Sequence, residues 1–201
     1  RHARDRRGGD LLGPGRHPWV GAVGITNDDR SSLRPTSRPA TVAGAELHGH
    51  AILFEHSNLH GAHKHVFAEE RNLAAPDDSF FNDRVSSIAV LSGTWQVFRH
   101  ADFVEPYPRT LGQGLHPWGV DAGIRNDDLS SLRHVHQAAT QPGQRSPGHL
   151  VLFQHAYLHG AHRHLLRAEA NFNAADDRFF NDQVSSLVIQ GDGRWRCFRH
   201  S

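Results

Sequence analysis

Asn82-Asp83-Arg84-Val85-Ser86-Ser87 is the stretch on which the reading of the fold turns. Its pattern, Asn-Asp-x-x-Ser-Ser, stands also at Asn27-Asp28-Asp29-Arg30-Ser31-Ser32, at Asn126-Asp127-Asp128-Leu129-Ser130-Ser131 and at Asn181-Asp182-Gln183-Val184-Ser185-Ser186. Asn, Asp and Ser offer hard oxygen donors, which suit calcium. The same residues also make turns through hydrogen bonds to the backbone. Recurrence of the string marks an internal repeat before any secondary structure is assigned.

The four copies start 55, 44 and 55 residues apart, so 27 maps onto 126 and 82 onto 181, both at an offset of 99. The match extends past the motif. His17-Pro18-Trp19 pairs with His116-Pro117-Trp118, and Leu59-His60-Gly61-Ala62-His63 with Leu158-His159-Gly160-Ala161-His162. Phe80-Phe81 pairs with Phe179-Phe180, and one extra residue near Gly191-Asp192-Gly193 brings Trp95 onto Trp195.

Local patterns are short and β-like. Ala51–Glu55 and Leu150–Gln154 are compact apolar runs, and Ser86–Leu91 and Ser185–Ile189 are β-branched runs ending at glycine. Trp95–Phe98 and Trp195–Phe198 alternate as half-buried strands do. A short helical turn is expected only at Ala68–Ala75 and Ala168–Ala175. Residues 36–49 and 136–149 carry Pro, Gly, Ser, Thr and Gln without periodicity and read as matched linkers. Many short strands with Gly-rich turns predict an all-β sandwich.

Bulk properties set the limits. At 201 residues the chain accommodates two domains of about 100 residues. Lys plus Arg number 22 against 21 Asp plus Glu, a net +1 that gives no electrostatic reason to expect nucleic acid. No apolar run approaches the roughly 20 residues of a membrane span. Cys197 is the single cysteine, so no intrachain disulfide can form. No nucleophile elbow, HExxH helix or phosphate-binding glycine loop is present, and no enzyme is expected. The aromatic residues, Trp19, Trp95, Trp118 and Trp195 among them, read as core or interface anchors.

Together these residues resemble the βγ-crystallin superfamily in its microbial, calcium-binding form. Phe54-Glu55-His56-Ser57-Asn58-Leu59-His60-Gly61 fits the family's opening hairpin, with Leu59 in the second aromatic place, and Phe153–Gly160 fits in the same way. In Phe98–Pro106 the hairpin glycine is missing, which predicts a looser hairpin or one bent by Pro106 and Pro108. The resemblance implies two βγ-crystallin-like Greek-key β-sandwich domains. The first spans residues 50–135 and holds two successive motifs. The second joins residues 1–35 to 150–201 and is circularly permuted across the chain termini. Its split motif closes either within one chain or by strand exchange between chains.

The resemblance also implies calcium sites shared between motifs. Carboxylates would come from Asp28, Asp83, Asp127 and Asp182, and backbone carbonyls from Asp29, Arg84, Asp128 and Gln183. Hydroxyls would come from Ser31, Ser86, Ser130 and Ser185 of the partner motif. Hairpin carbonyls near Glu55, Arg99, Gln154 and Arg199 would complete the set, with Asn27, Asn82, Asn126 and Asn181 bracing the loops. About one carboxylate per site predicts micromolar to millimolar affinity, which suits a secreted protein. Its first residue is not Met and no signal peptide is visible, so a processed chain is expected. The alternatives are an extracellular interaction protein (inhibitor, toxin or coat component, target unknown) and a structural protein assembling by strand exchange.

Histidine recurs 18 times. His63 and His65, with their repeats His162 and His164, are two apart and share a face on a strand. Such pairs suit zinc, copper or nickel. The competing reading makes them solvent-facing residues of a hairpin beside the cationic Lys64 and Arg163.

Overall fold

A computed structural model describes residues 12, 39–41, 43, 45–76, 81–172, 180, 182–190 and 193–198. The chain divides into two units, Arg1–Leu47 and His48–Ser201, and the strands below belong to the second. Among the described residues there is no α-helix, and no helix is long and apolar enough to cross a membrane.

The first motif comprises β1 (His50–His56), β2 (His60–Val66), β3 (Glu69–Glu70) and β4 (Ser87–Ser92). The second comprises β5 (Thr94–His100), β6 (Val104–Leu111), β7 (Gly114–His116) and β8 (Ser131–Val135). Each motif lends its third strand to the other's sheet. One sheet runs β2-β1-β4-β7 and the other β3-β8-β5-β6, all neighbours antiparallel. The exchange interlocks the motifs, so neither sheet is complete without both.

Residue alternation explains what lies between them. Ala51 and Leu53 point from β1 to the space between the sheets, with Ile88, Val90, Trp95, Val97, Leu111, Leu129 and Leu132. Trp95 is fully buried and its indole N–H donates to the Ser92 carbonyl at 3.1 Å. Ile52 and Phe54, on the opposite face of β1, are buried too, against Leu59, Ala89, Leu115 and Leu166. That second packed face is why β1 reads as a continuous apolar run rather than an alternating one.

A third motif supplies β9 (His149–His155), β10 (His159–Leu165) and β11 (Ser186–Gln190), a three-stranded sheet in the order β10-β9-β11. Leu150, Leu152, Leu165 and Phe180 cluster with Phe172 and Trp195. Its far strand differs from its repeat. Leu187 and Ile189 are 42% and 43% exposed, whereas Ile88 and Val90 at the same repeat positions are 1% exposed.

Several expectations shift. The helical turn predicted at Ala68–Ala75 is instead β3 followed by turns, because Glu69 and Glu70 pair with Arg133 and Leu132 of β8. Of its repeat, Ala168–Phe172 is likewise not helical, and residues 173–175 lie outside the described set. Trp195–Phe198, the described part of the expected terminal strand, runs outside any strand. The segment after β8 is tied down: Gly112 donates to the Gln141 carbonyl at 2.8 Å and Leu115 to that of Gln144 at 2.7 Å.

Candidate metal-binding loops and histidine cluster

Each hairpin that opens a motif turns through left-handed residues. These are Asn58 and Leu59, then Asp102 and Phe103, then Tyr157 and Leu158, with φ between 58° and 66°. Such a turn leaves a backbone N–H aimed inward, and a serine satisfies it each time. The Ser87 hydroxyl accepts from the Leu59 N–H at 2.9 Å and donates to the His56 carbonyl at 2.5 Å. Ser131 does the same for Phe103 and His100, at 3.2 and 2.6 Å, and Ser186 for Leu158 and His155, at 2.9 and 2.6 Å. The second serine of each described motif is therefore a latch on its hairpin.

The hairpin without its glycine keeps the same bend. Glu105 occupies the position of Gly61 and Gly160 and adopts φ 58°, where they have 81° and 83°. A left-handed residue with a side chain is strained. The carboxylate of Glu105 meets the Arg99 guanidinium and lies 3.3 Å from the His100 ring, so contacts on both sides hold the strained residue.

The motif loops begin with left-handed aspartates, Asp83 (φ 51°), Asp127 (φ 54°) and Asp182 (φ 53°). Asn82 Nδ2 donates to Asp83 Oδ2 at 2.7 Å, and Asn126 Nδ2 to Asp127 Oδ2 at 2.6 Å. Phe54, Phe98 and Phe153 accept, through their carbonyls, the N–H groups of Ser86, Ser130 and Ser185. This places each first serine beside Glu55, Arg99 or Gln154 of its own hairpin. Across motifs, Ser86 Oγ lies 3.2 Å from Asp127 Oδ1. Among the described residues no hydrogen bond joins Asp83 to Ser130, which is 9% exposed. Asn27, Asp28, Asp29, Ser31, Asn181 and Arg199 lie outside the described residues.

Arginines near the loops are engaged by carboxylates. Arg84 Nη1 is 3.5 Å from Glu55 Oε1, and Arg99 Nε is 3.3 Å from Asp128 Oδ2. The Tyr107 hydroxyl also donates to Asp128 Oδ2 at 2.8 Å, and burial, then that carboxylate, pushes the Tyr107 phenol up. The Asp128 side chain is thus occupied.

A second constellation brings the repeats together. Period 2 puts His63 and His65 on one face of β2, and His162 and His164 on one face of β10. Nε2 of His63 lies 3.4 Å from Nε2 of His162, and Nε2 of His65 lies 3.2 Å from Nε2 of His164. One ligand nitrogen from each of the four falls within 4.8 Å of every other. Behind them, His50 Nε2 is 2.8 Å from His65 Nδ1 and His149 Nε2 is 2.7 Å from His164 Nδ1. Burial first, then neighbouring imidazoles, lowers His50 and His63 to about 4 and His164 to about 2. Lys64 Nζ lies 3.2 Å from Glu70 and Arg163 Nη2 3.3 Å from Glu169, so both neighbouring cations are balanced.

The latch serines and the backing histidines were not singled out in the sequence. The signal was there for both: Ser87, Ser131 and Ser186 close the motif each time, and His50 recurs as His149 at the same offset.

Two interlocked antiparallel sheets, with latched hairpins and oxygen-bearing loops, define a Greek-key β-sandwich domain. Residues 50–135 match the Beta/Gamma crystallin family model. Parts of the chain are also similar to solved structures. A βγ-crystallin from Ciona intestinalis is 35% identical, covering 43% of this chain and 100% of its own, with a TM-score of 0.39. A βγ-crystallin from Methanosaeta thermophila, described as transition-metal-ion-binding, is 34% identical over 42% of this chain and 98% of its own, with a TM-score of 0.38. One from an archaeon is 27% identical over 43% and 98%, with a TM-score of 0.39. No curated protein matches the chain. Residues 50–135 form a βγ-crystallin-like domain.

Proposed function

We propose that the chain is a calcium-binding βγ-crystallin-like protein whose ion is held between motif loops and stabilises the fold. The observation that carries this is the approach of Ser86 Oγ to Asp127 Oδ1 at 3.2 Å, across 41 residues of sequence. Two oxygens so placed can share one ion at the 2.3–2.6 Å ligand distances of calcium, roughly the edge of its coordination shell. Asp127 would give its carboxylate and Ser86 its hydroxyl, with the carbonyls of Asp128 and Glu55 completing the protein donors. Asp83, Arg84, Ser130 and Arg99 would form the partner site. One carboxylate per ion favours weak binding, suited to a calcium-rich extracellular setting. Calorimetric titration of chelator-treated protein should show calcium uptake in the micromolar to millimolar range. Asp127→Ala should remove one site of the set and lower the melting temperature gained with calcium. Equal stoichiometry in wild type and variant would refute the assignment.

A second reading, assembly by strand exchange, is favoured by the exposure of Leu187 and Ile189. An uncovered sheet face and edge recruit strands. In this reading the fourth motif, split between the first 35 residues and the C-terminal segment, completes a second domain within one chain or between two. Sedimentation over a hundredfold concentration range should reveal a dimer at the upper end. A monomer at every concentration excludes stable exchange.

A further inference from the structure

We propose that His63, His65, His162 and His164 form a four-imidazole site for one divalent transition cation of the zinc type, and that this ion staples the first motif to the third. The site shares no residue with the calcium loops and stands independently of them.

Two edges of a tetrahedral site are already in place. A zinc–nitrogen bond of about 2.0–2.1 Å requires nitrogens about 3.3–3.4 Å apart along each edge. The two Nε2 pairs lie at 3.4 and 3.2 Å, and no pair of the four ligand nitrogens exceeds 4.8 Å. Two ligands come from β2, the edge of one sheet, and two from β10, the edge of another. An ion among them therefore crosslinks elements about 100 residues apart in sequence.

The backing hydrogen bonds single out the donor atoms. His50 and His149 engage Nδ1 of His65 and His164, leaving Nε2 for the ion. A ligating imidazole carries its proton on the other nitrogen and donates it to such a partner. A cation between them lets both arms take this form together. Without one, the 3.2 Å contact of His65 with His164 needs a proton on one Nε2 and a lone pair on the other. The backing histidine on the donor's side must then reverse its own hydrogen bond. The cation restores the equivalence of the two repeats.

Charge and burial agree with this. His164 is buried, and the four rings pack edge to edge with centroids 4.8–5.4 Å apart. Lys64 and Arg163 alternate with the ligands along their strands and sit on the opposite face, each beside a glutamate.

The test uses the full chain, stripped with chelator, and zinc and cobalt as probes. Calorimetry should show one zinc per chain saturating ahead of any weaker sites, and cobalt should give the intense visible absorption of a tetrahedral ion. The double variant His63→Gln/His162→Gln should lose both signals while its calcium titration matches wild type, which shows that it folds. The variant His50→Ala/His149→Ala, which keeps all four ligands, should bind zinc roughly 10–100-fold more weakly. Identical zinc uptake by wild type and the His63→Gln/His162→Gln protein would overturn the proposal. So would cobalt spectra of octahedral intensity in the wild type.

Discussion

Acidifying the metal-free protein from pH 7 to 4.5 is expected to remove on the order of 3 kcal/mol of stability. In the unfolded chain His50 and His63 titrate at the ordinary value of about 6.5. In the folded chain both are held at about 4, chiefly by burial, then by imidazoles facing them. For His50 these are His65 and His149, and for His63 they are His65 and His162, with Arg163 adding its charge. Between the two values the unfolded state binds more protons than the folded one, so stability falls as pH falls. The contribution is complete above pH 6.5, declines through the window, and levels off below about 4. Two such groups would account for about 5 kcal/mol by pH 4.5, and halving this for their partial exposure leaves the figure given. His164, His65 and His149 are lowered as well and act in the same direction. Melting temperature should drop by about 10 °C for a domain of this size. The comparison is with His63→Gln/His162→Gln between pH 6.5 and 5, before most carboxylates titrate. A wild-type curve no steeper than the variant's would show that the cluster is not held neutral.

Ser87→Ala should destabilise the calcium-free protein by about 1–3 kcal/mol, because it strands the buried Leu59 N–H without its acceptor. The neighbouring Ser86→Ala should change calcium-free stability by at most about 0.5 kcal/mol and weaken calcium binding instead. Adjacent serines of one motif thus have separable jobs. Ser87 is buried between the hairpin turn and β1, whereas Ser86 is half-exposed and faces Asp127. Urea unfolding with and without calcium measures both. Equal losses for the two variants in chelator would contradict the division.

The all-β character and the βγ-crystallin domain were legible in the sequence because the repeat supplied its own alignment. A hydroxyl, a carboxylate and a turn recurring in fixed phase restrict the chain more than any single strand pattern does. What was not legible depended on long-range packing. Glu69 and Glu70 resemble helix formers locally, and only pairing with β8 makes them a strand. The missing hairpin glycine suggested a looser turn, yet Glu105 adopts the glycine's backbone angle because the rest of the hairpin, latched by Ser131, leaves it no other. The histidine pairs were visible on their strands, but not that β2 and β10 bring them edge to edge, since nothing in a sequence states which strand edges meet.

The contacts of His63 with His162 and of His65 with His164 pair each residue with its own counterpart at an offset of 99. Contacts of that kind are the mark of an isologous interface, the arrangement by which two identical subunits bind about a two-fold axis. The internal duplication has thus placed inside one polypeptide a surface with the logic of a homodimer. A single repeat cut free of its neighbour would retain half of that surface, self-complementary, with two imidazoles ready to face those of a sister molecule.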